Sequence, residues 1–237
     1  MCNIKCILFG AINLTMKDVE GKRVIEIGSN DVNGSLRPLI ESWKPSEYIG
    51  IDLEYGNGVD IRCKAEDIVN VFGKESFDII ISTEVIEHVK NWRLVIDNIK
   101  SICKPNGLIL ITTRSKGFEY HGWPHDFWRF EVSDMKNIFS DFYIKKLESD
   151  DISTPGVFII ARKPYKFNKN DLYLSKYNLY SITENKRISY IEEKNLRLVP
   201  HNYYIKQKAT DIIYYVGRII LNIFEDYDDK KRNKNWK

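Results

Sequence analysis

The sequence predicts an α/β protein built on a doubly wound, mostly parallel sheet, and three observations carry that expectation. First, VIEIGSNDVNGS (Val24 to Ser35) reads as a short β-branched strand, Val24, Ile25 and Ile27, running into a glycine-bearing turn, which suits a strand covered on both faces. Second, YIGIDL (Tyr48 to Leu53) is another such strand and ends on Asp52, roughly 20 residues beyond the turn, the spacing of an acidic group that holds ribose hydroxyls in doubly wound folds. Third, strand-like and helix-like segments alternate through Ala161, the pattern of successive βαβ units.

In the first turn, Gly28 and Gly34 permit positive φ or close approach of a ligand, and Ser29, Asn30 and Asp31 offer donors and acceptors at the strand's carboxyl end. The turn is not the dinucleotide pattern. Asn30 stands where the second glycine of G-x-G-x-x-G would admit a pyrophosphate, which argues against NAD or FAD. The carboxylate of Glu26 also repels a phosphate and suits a ligand that is cationic or donates hydrogen bonds, unless a salt bridge at the sheet end occupies it.

Five segments stand in order and spacing: Glu26-x-Gly28, Asp52, AEDI (Ala65 to Ile68), FDIIISTEVIEHV (Phe77 to Val89) and KPNGLILITT (Lys104 to Thr113). Together they resemble the successive motifs of class I S-adenosylmethionine-dependent methyltransferases, and the resemblance covers Val24 to Pro164. HGWPHDFWRF (His121 to Phe130) is similar to a bacterial and archaeal subgroup often associated with surface-sugar or natural-product clusters. The resemblance implies a seven-stranded sheet of order 3-2-1-4-5-7-6, with S-adenosylmethionine at the carboxyl ends of strands one and two. It assigns the cofactor to Glu26, Gly28, Ser29, Asn30, Asp31, Asp52, Leu53, Ala65, Glu66, Asp67, Thr83 and Glu84. Ala65 and Glu66 would lie along the adenine edge. The usual acid before that alanine is Lys64 here, so Glu66 or Asp67 would carry the contact.

Composition bounds the alternatives. The 237 residues, 43% hydrophobic and 29% charged, describe a globular chain with ample core. The formal net charge of +3, with bases and acids interleaved, gives no basic stripe for nucleic acid, and only Lys230 to Lys237 is a basic cluster. Cys2, Cys6, Cys63 and Cys103 form no C-x-x-C pair, so all four are expected reduced in a cytoplasmic protein. The start, MCNIKCILFGAINL, lacks the cleavage site and apolar core of a signal peptide and reads as a helix beside the first strand.

Further along, Ser35 to Ser42 reads as a helix that Pro38 keeps short, and Val59 to Arg62 as a short third strand. Phe77 to Ser82 is the fourth strand. At its end Glu84 and His88 would share a helix face, and Glu87 with His88 raises the question of a metal. No H-x-x-x-H or further ligand stands nearby, so none is expected. In the family this turn borders the methionine end of the cofactor, and His88 either touches substrate or is satisfied by a backbone carbonyl. Trp92 to Ile102 is an amphipathic helix with Leu94, Val95, Ile99 and Ile102 inward; Leu108 to Thr113, Phe142 to Leu147 and Val157 to Ala161 supply the remaining strands, the last antiparallel by family likeness.

Arg114, Tyr120, His121, Trp123, His125, Asp126, Trp128 and Arg129 crowd the loop before the helix at Ser133 to Phe139. Methyl transfer is an in-line displacement that depends on alignment and water exclusion, and a hydroxyl acceptor also needs a base. His125 or His121 is the candidate base, oriented by Asp126. Arg114 and Arg129 could fork onto an acceptor's carboxylate or phosphate, and Trp123 and Trp128 could stack on a ring. A packed lid that satisfies its own backbone is the competing explanation.

Two parts are expected: residues 1–164 as the methyltransferase domain and 165–237 as a mainly helical extension. In the latter, Ile205, Ala209, Ile212, Val216, Ile219 and Ile223 form a heptad stripe over Tyr203 to Phe224. Charges interrupt it too often for a membrane span. It could pack on its own domain, form a homodimer contact, or serve as a membrane-surface or partner-protein helix. The expected function is methyl transfer to a small polar acceptor, a sugar, glycan precursor or natural-product-like molecule. A catalytically silent scaffold acting through the C-terminal helix is the alternative from another class.

Overall fold

Strand β1 (Arg23–Ile27) sits between β2 (Glu47–Asp52) and β4 (Phe77–Thr83), pairing with both in parallel, so the first turn opens where the chain connections part to either side. This computed structural model describes residues 4–122 and 125–192. Its main sheet has seven strands in the order β3-β2-β1-β4-β5-β8-β7, with β3 (Ile61–Arg62), β5 (Cys103–Arg114), β7 (Tyr143–Ser149) and β8 (Gly156–Arg162) completing it. Strand β8 runs opposite to the other six, antiparallel to both β5 and β7. The central strands are isoleucine-rich and buried on both faces: Ile25, Ile80, Ile109 and Ile111 point to one side, and Val24, Ile79, Ile81, Leu108 and Leu110 to the other.

Helix α1 (Ile4–Asn13) closes the second face, as the apolar start of the chain suggests. Cys6 and Phe9 enter the core with Leu36, Ile40 and Phe158, and the Phe9 and Phe158 rings stand 5.3 Å apart. Gly10 allows the approach, because a Cβ there would lie 2.4 Å from a Leu36 methyl. The four-residue α2 (Met16–Val19) follows, held by a Thr15–Asp18 capping box. Pro38 shortens the next helix as expected: α3 spans Arg37–Ser42 only.

On the opposite face lie α4 (Ile68–Phe72), α5 (Trp92–Ile102) and α6 (Val132–Ile138). Helix α5 buries Val95, Ile99 and Ile102 as expected, but Ile96 takes the inward place assigned to Leu94, which is half-buried. Lys100 is wholly buried on this helix. Its ammonium is 2.8 Å from Asp141 and also donates to Ile138 O and the Asn170 side chain, so the charge is compensated inside the core.

A second, three-stranded sheet, β10-β9-β6, was not read from sequence. It joins β6 (Trp128–Arg129) to the hairpin β9 (Leu179–Ser181) and β10 (Lys186–Ile188), which answers to the hairpin or arm expected over Asp171 to Tyr190. Its strands are two or three residues long, below what a period-2 pattern reveals. Among the described residues no helix is long and apolar enough to cross a membrane. Cys2, Trp123 and the expected helix from Tyr203 to Phe224, with any homodimer contact through it, lie outside the described residues.

Removing Asp141 tests the buried pair on α5. Asp141→Ala strands the Lys100 ammonium and should lower stability by about 3 kcal/mol or more. A urea melt with an unchanged midpoint would mean that the pair is not buried as described.

Candidate active site

Two groups of side chains meet at the carboxyl edge of β1, β2 and β4. The first surrounds the β1 turn. Gly28 takes φ +79, and a Cβ there would lie 2.1 Å from Val85 Cγ2, so only glycine fits between the turn and the segment after β4. The Gly28 and Ser29 amides both donate to Ile51 O, at 2.8 and 3.0 Å, which ties the turn to β2. Asp52 then joins the two loops: one carboxylate oxygen accepts from Asn30 N at 3.2 Å, the other from Leu53 N at 2.7 Å and Glu54 N at 3.3 Å. The loop after β2 folds onto this turn, with Asp31 N donating to Asn57 O, and Gly56 has no Cβ because the Asn30 side chain would meet it at 2.2 Å. Arg37 fastens the loop from behind through Asp60, at 2.8 and 3.2 Å, and Gly58 O.

Glu26 lies beneath the turn, 2% exposed, and among the described residues it has no salt bridge at the sheet end. Burial raises its pKa from 4.5 to about 7, even though Tyr48 O–H donates to it at 2.7 Å and Ser35 lies at 3.4 Å. At the rim, Leu53, Tyr55 and Ile61 leave apolar surface exposed beside Asp52, and Ala65 to Asp67 form a single helical turn whose carbonyls at Ala65 and Glu66 accept from the Asn98 amide. Lys64 precedes that turn, exposed. A half-exposed carboxylate flanked by apolar surface, above a glycine turn whose Ser29 hydroxyl is buried without a hydrogen-bond partner, fits a ribose with a flat base.

The second group follows Thr83. Glu84 takes a left-handed φ of +58, so the chain turns sharply off the strand and enters a single 3-10 turn, Ile86–His88. Glu84 and His88 therefore do not share a helix face as their spacing suggested. Glu84 is buried in an ion pair with Arg114, which also reaches Asp150 at 3.5 Å and packs its guanidinium on the Phe118 ring. Glu87, which sequence reasoning raised only in connection with a metal, is at the centre. It is fully buried, accepts from Thr113 O–H at 2.8 Å, and its other oxygen lies 3.7 Å from His121 Nε2 and 3.9 Å from His88 Nε2.

His121 reaches this point from the loop after β5. Its Nδ1 meets Asp126 at 2.9 Å, and its ring centroid is 4.7 Å from that of His88. Burial alone would lower the His121 pKa, but Asp126 and Glu87 raise it to about 9. Burial opposes ionisation of Glu87 too, yet His121 and His88 bring it down to about 2; Asp126 is likewise held low, by Arg129 and His121 against its burial. His88 is shifted down, mainly by burial. Its Nδ1 donates to His125 O at 2.8 Å, the backbone-carbonyl alternative foreseen for it. The His125 ring stacks on Phe127 at 5.2 Å with Nδ1 buried, so His121 rather than His125 faces the carboxylates.

Arg129 is 0% exposed and all five of its N–H groups are engaged: two with Asp126, at 2.6 and 2.7 Å, and three with the carbonyls of Phe118, Glu119 and Trp128. Trp128 is also buried, and its Nε1 donates to Val89 O and Lys90 O. The donors of Arg129 and Trp128 thus build the loop and hold it to the turn after β4, while Arg114 is engaged by carboxylates.

A family model described as "Methyltransferase domain" matches residues 5–148. Over 116 residues the chain is 29% identical to a ubiquinone biosynthesis O-methyltransferase of Parvibaculum lavamentivorans, covering 42% of this chain and 46% of that one. A mitochondrial ubiquinone biosynthesis O-methyltransferase of Dictyostelium discoideum is 43% identical over 122 residues, covering 42% and 37%. The chain spans less than half the length of these curated relatives. Among solved structures, the Burkholderia thailandensis 1,6-didemethyltoxoflavin-N1-methyltransferase with bound 1,6-didemethyltoxoflavin and S-adenosylhomocysteine has a TM-score of 0.53 at 11% identity, covering 68% of this chain and 77% of that one, a likeness of fold.

The buried Glu26 gives a pH test. Its folded pKa lies above the unfolded value, so it binds more protons when folded, and stability should fall as pH rises from about 4.5 to about 7. Glu26→Gln should remove that slope; an unchanged slope in denaturation midpoints measured across this range would contradict the raised pKa of this buried carboxyl group. The match over residues 5–148, on a seven-stranded sheet with this turn and Asp52 at its carboxyl edge, places the chain in the methyltransferase-domain family.

Proposed function

We propose that the protein transfers a methyl group from S-adenosylmethionine to a hydroxyl of a small polar acceptor, such as a sugar, a glycan precursor or a natural-product-like molecule. The observation that carries this reading is the adjacency of the two groups of side chains: Val85 touches Gly28, and two residues on, Glu87 faces His88 and His121. When bound, S-adenosylmethionine supplies a sulfonium methyl that needs an aligned nucleophile and a dry site.

Gly28 to Asp31 and Asp52 would hold the ribose and methionine parts, with Leu53 and Ala65 to Asp67 along the base and Thr83 and Glu84 closing the strand end. His121 would meet the acceptor hydroxyl, with Asp126 fixing its ring through Nδ1. His88 would border the acceptor from the other side. Trp128, Arg129 and Arg114 act as positioning residues that set the loop's height over the sheet. The O-methyltransferase names of the relatives favour oxygen as the atom methylated. Residues 1–164 as the catalytic domain and 165–237 as a helical extension complete the proposal.

Calorimetry with S-adenosylhomocysteine tests the cofactor half. Folded wild-type protein should bind, and Asp52→Ala should weaken binding at least about tenfold, since hydrogen bonds to a charged group contribute about 1.5–3 kcal/mol. Transfer of labelled methyl to hydroxyl compounds tests the other half. Absence of binding by folded wild-type protein would overturn the reading.

A further inference from the structure

The side chains around Glu87 have the geometry of a metal site. Among the described residues, Glu87, His88 and His121 each offer one ligand atom, and the three atoms lie within 4.8 Å of one another. The spacings from Glu87 Oε1 to the two Nε2 atoms, 3.7 and 3.9 Å, are too long for hydrogen bonds. They are close to what an ion between them would impose: with metal–ligand bonds of about 2.0–2.2 Å, tetrahedral neighbours stand about 3.3–3.6 Å apart.

Outer contacts already select the right atoms. His88 Nδ1 donates to His125 O at 2.8 Å, which leaves its Nε2 lone pair toward Glu87, and His121 Nδ1 lies 2.9 Å from Asp126, which leaves Nε2 as the atom that would take the ion on giving up its proton. A carboxylate or backbone carbonyl behind each ligating histidine is the usual support of such a site. Thr113 takes one oxygen of Glu87 and leaves the other, buried and without a hydrogen-bond partner, at the centre. Even the loop spacing conforms, since a Cβ on Gly122 would strike His88 Nδ1 at 2.6 Å and His125 O at 2.3 Å.

We propose that Glu87, His88 and His121 bind a divalent first-row transition ion such as zinc, leaving open positions toward the acceptor. Two imidazoles and one carboxylate suit such an ion better than magnesium, and three protein ligands with open positions mark a catalytic rather than a structural site. Resting on the methyltransferase reading, this specifies the acceptor: a compound whose hydroxyl, with a neighbouring oxygen, can chelate the ion. Coordination would let the hydroxyl lose its proton to solvent near neutral pH. The oxygen then takes the methyl from the sulfonium, giving an ether, S-adenosylhomocysteine and one proton.

The test is titration of tag-free, chelator-stripped full-length protein with Co2+, followed by visible absorption, and with Zn2+ by calorimetry. The expected result is one ion per chain, with the ligand-field bands of a low-symmetry site. Affinity should fall by more than about 100-fold in Glu87→Gln and in His121→Asn, since loss of outer contacts alone costs 10–100-fold. Binding of S-adenosylhomocysteine, measured on the same samples, should persist in both variants and serves as the check that they fold. Failure of folded wild-type protein to take up either ion, or uptake that both substitutions leave unchanged, would overturn the metal site. Cofactor binding alongside such a failure would leave the methyltransferase reading standing, and ion uptake without cofactor binding would do the reverse.

Discussion

The bidentate contact between Arg129 and Asp126 is the constraint on which the rest of the site depends. A buried guanidinium is tolerable only if its charge is matched and its five donors are used, and here Asp126 matches the charge while three carbonyls of the same loop take the remaining donors. The loop after β5 is thereby closed on itself. Asp126 is left with its second task, holding His121 through Nδ1 and through the backbone amide at 3.0 Å. Without the guanidinium, Asp126 would be a buried charge facing a histidine in a segment with little regular structure.

This arrangement explains how two distant parts of the chain form one centre. Strand β4 ends at a left-handed Glu84, which sends Glu87 inward instead of along a helix, and Arg114 neutralises Glu84 so that the bend can be buried. The loop supplies His121 opposite Glu87, and the Phe127 amide donates to Glu87 O at 2.9 Å, locking loop and turn together. The β1 turn is built by backbone proximity, with Gly28 against Val85 and the glycine loop after β2 over Asn30. The centre is therefore polar and buried around Glu87 and His121, and open, amide-rich and partly apolar around Gly28 and Asp52.

Much of the frame was legible because parallel strands buried on both faces leave unmistakable isoleucine runs, as in Phe77 to Ser82, and because Pro38 has one mechanical effect on a helix. The site was legible only in part. That His121, His125 and Asp126 are chemically dense is visible in the sequence; that Asp126 serves His121 while His125 contributes only its carbonyl to His88 is a matter of loop path. Arg129 and Arg114 read as forks for an acceptor, since a sequence shows a guanidinium's capacity but not which carboxylate it meets. Glu87 has no second candidate ligand beyond His88 close by in the sequence, and His121, which faces it, arrives from across β5, a separation no local spacing rule spans. The small sheet that supports β6 escaped notice because strands of two or three residues carry no period.

Hydrogen exchange on Arg129→Lys, followed by mass spectrometry, tests this dependence most directly. A lysine keeps the charge but cannot serve the carboxylate as a fork together with three carbonyls. The account predicts faster exchange across residues 118–129, including the amides of His121 and Phe127, with β1, β4 and β5 unchanged and S-adenosylhomocysteine still bound. Exchange in the loop equal to that of the unsubstituted protein would contradict it, and would mean that His121 is placed opposite Glu87 by something other than the Arg129–Asp126 contact.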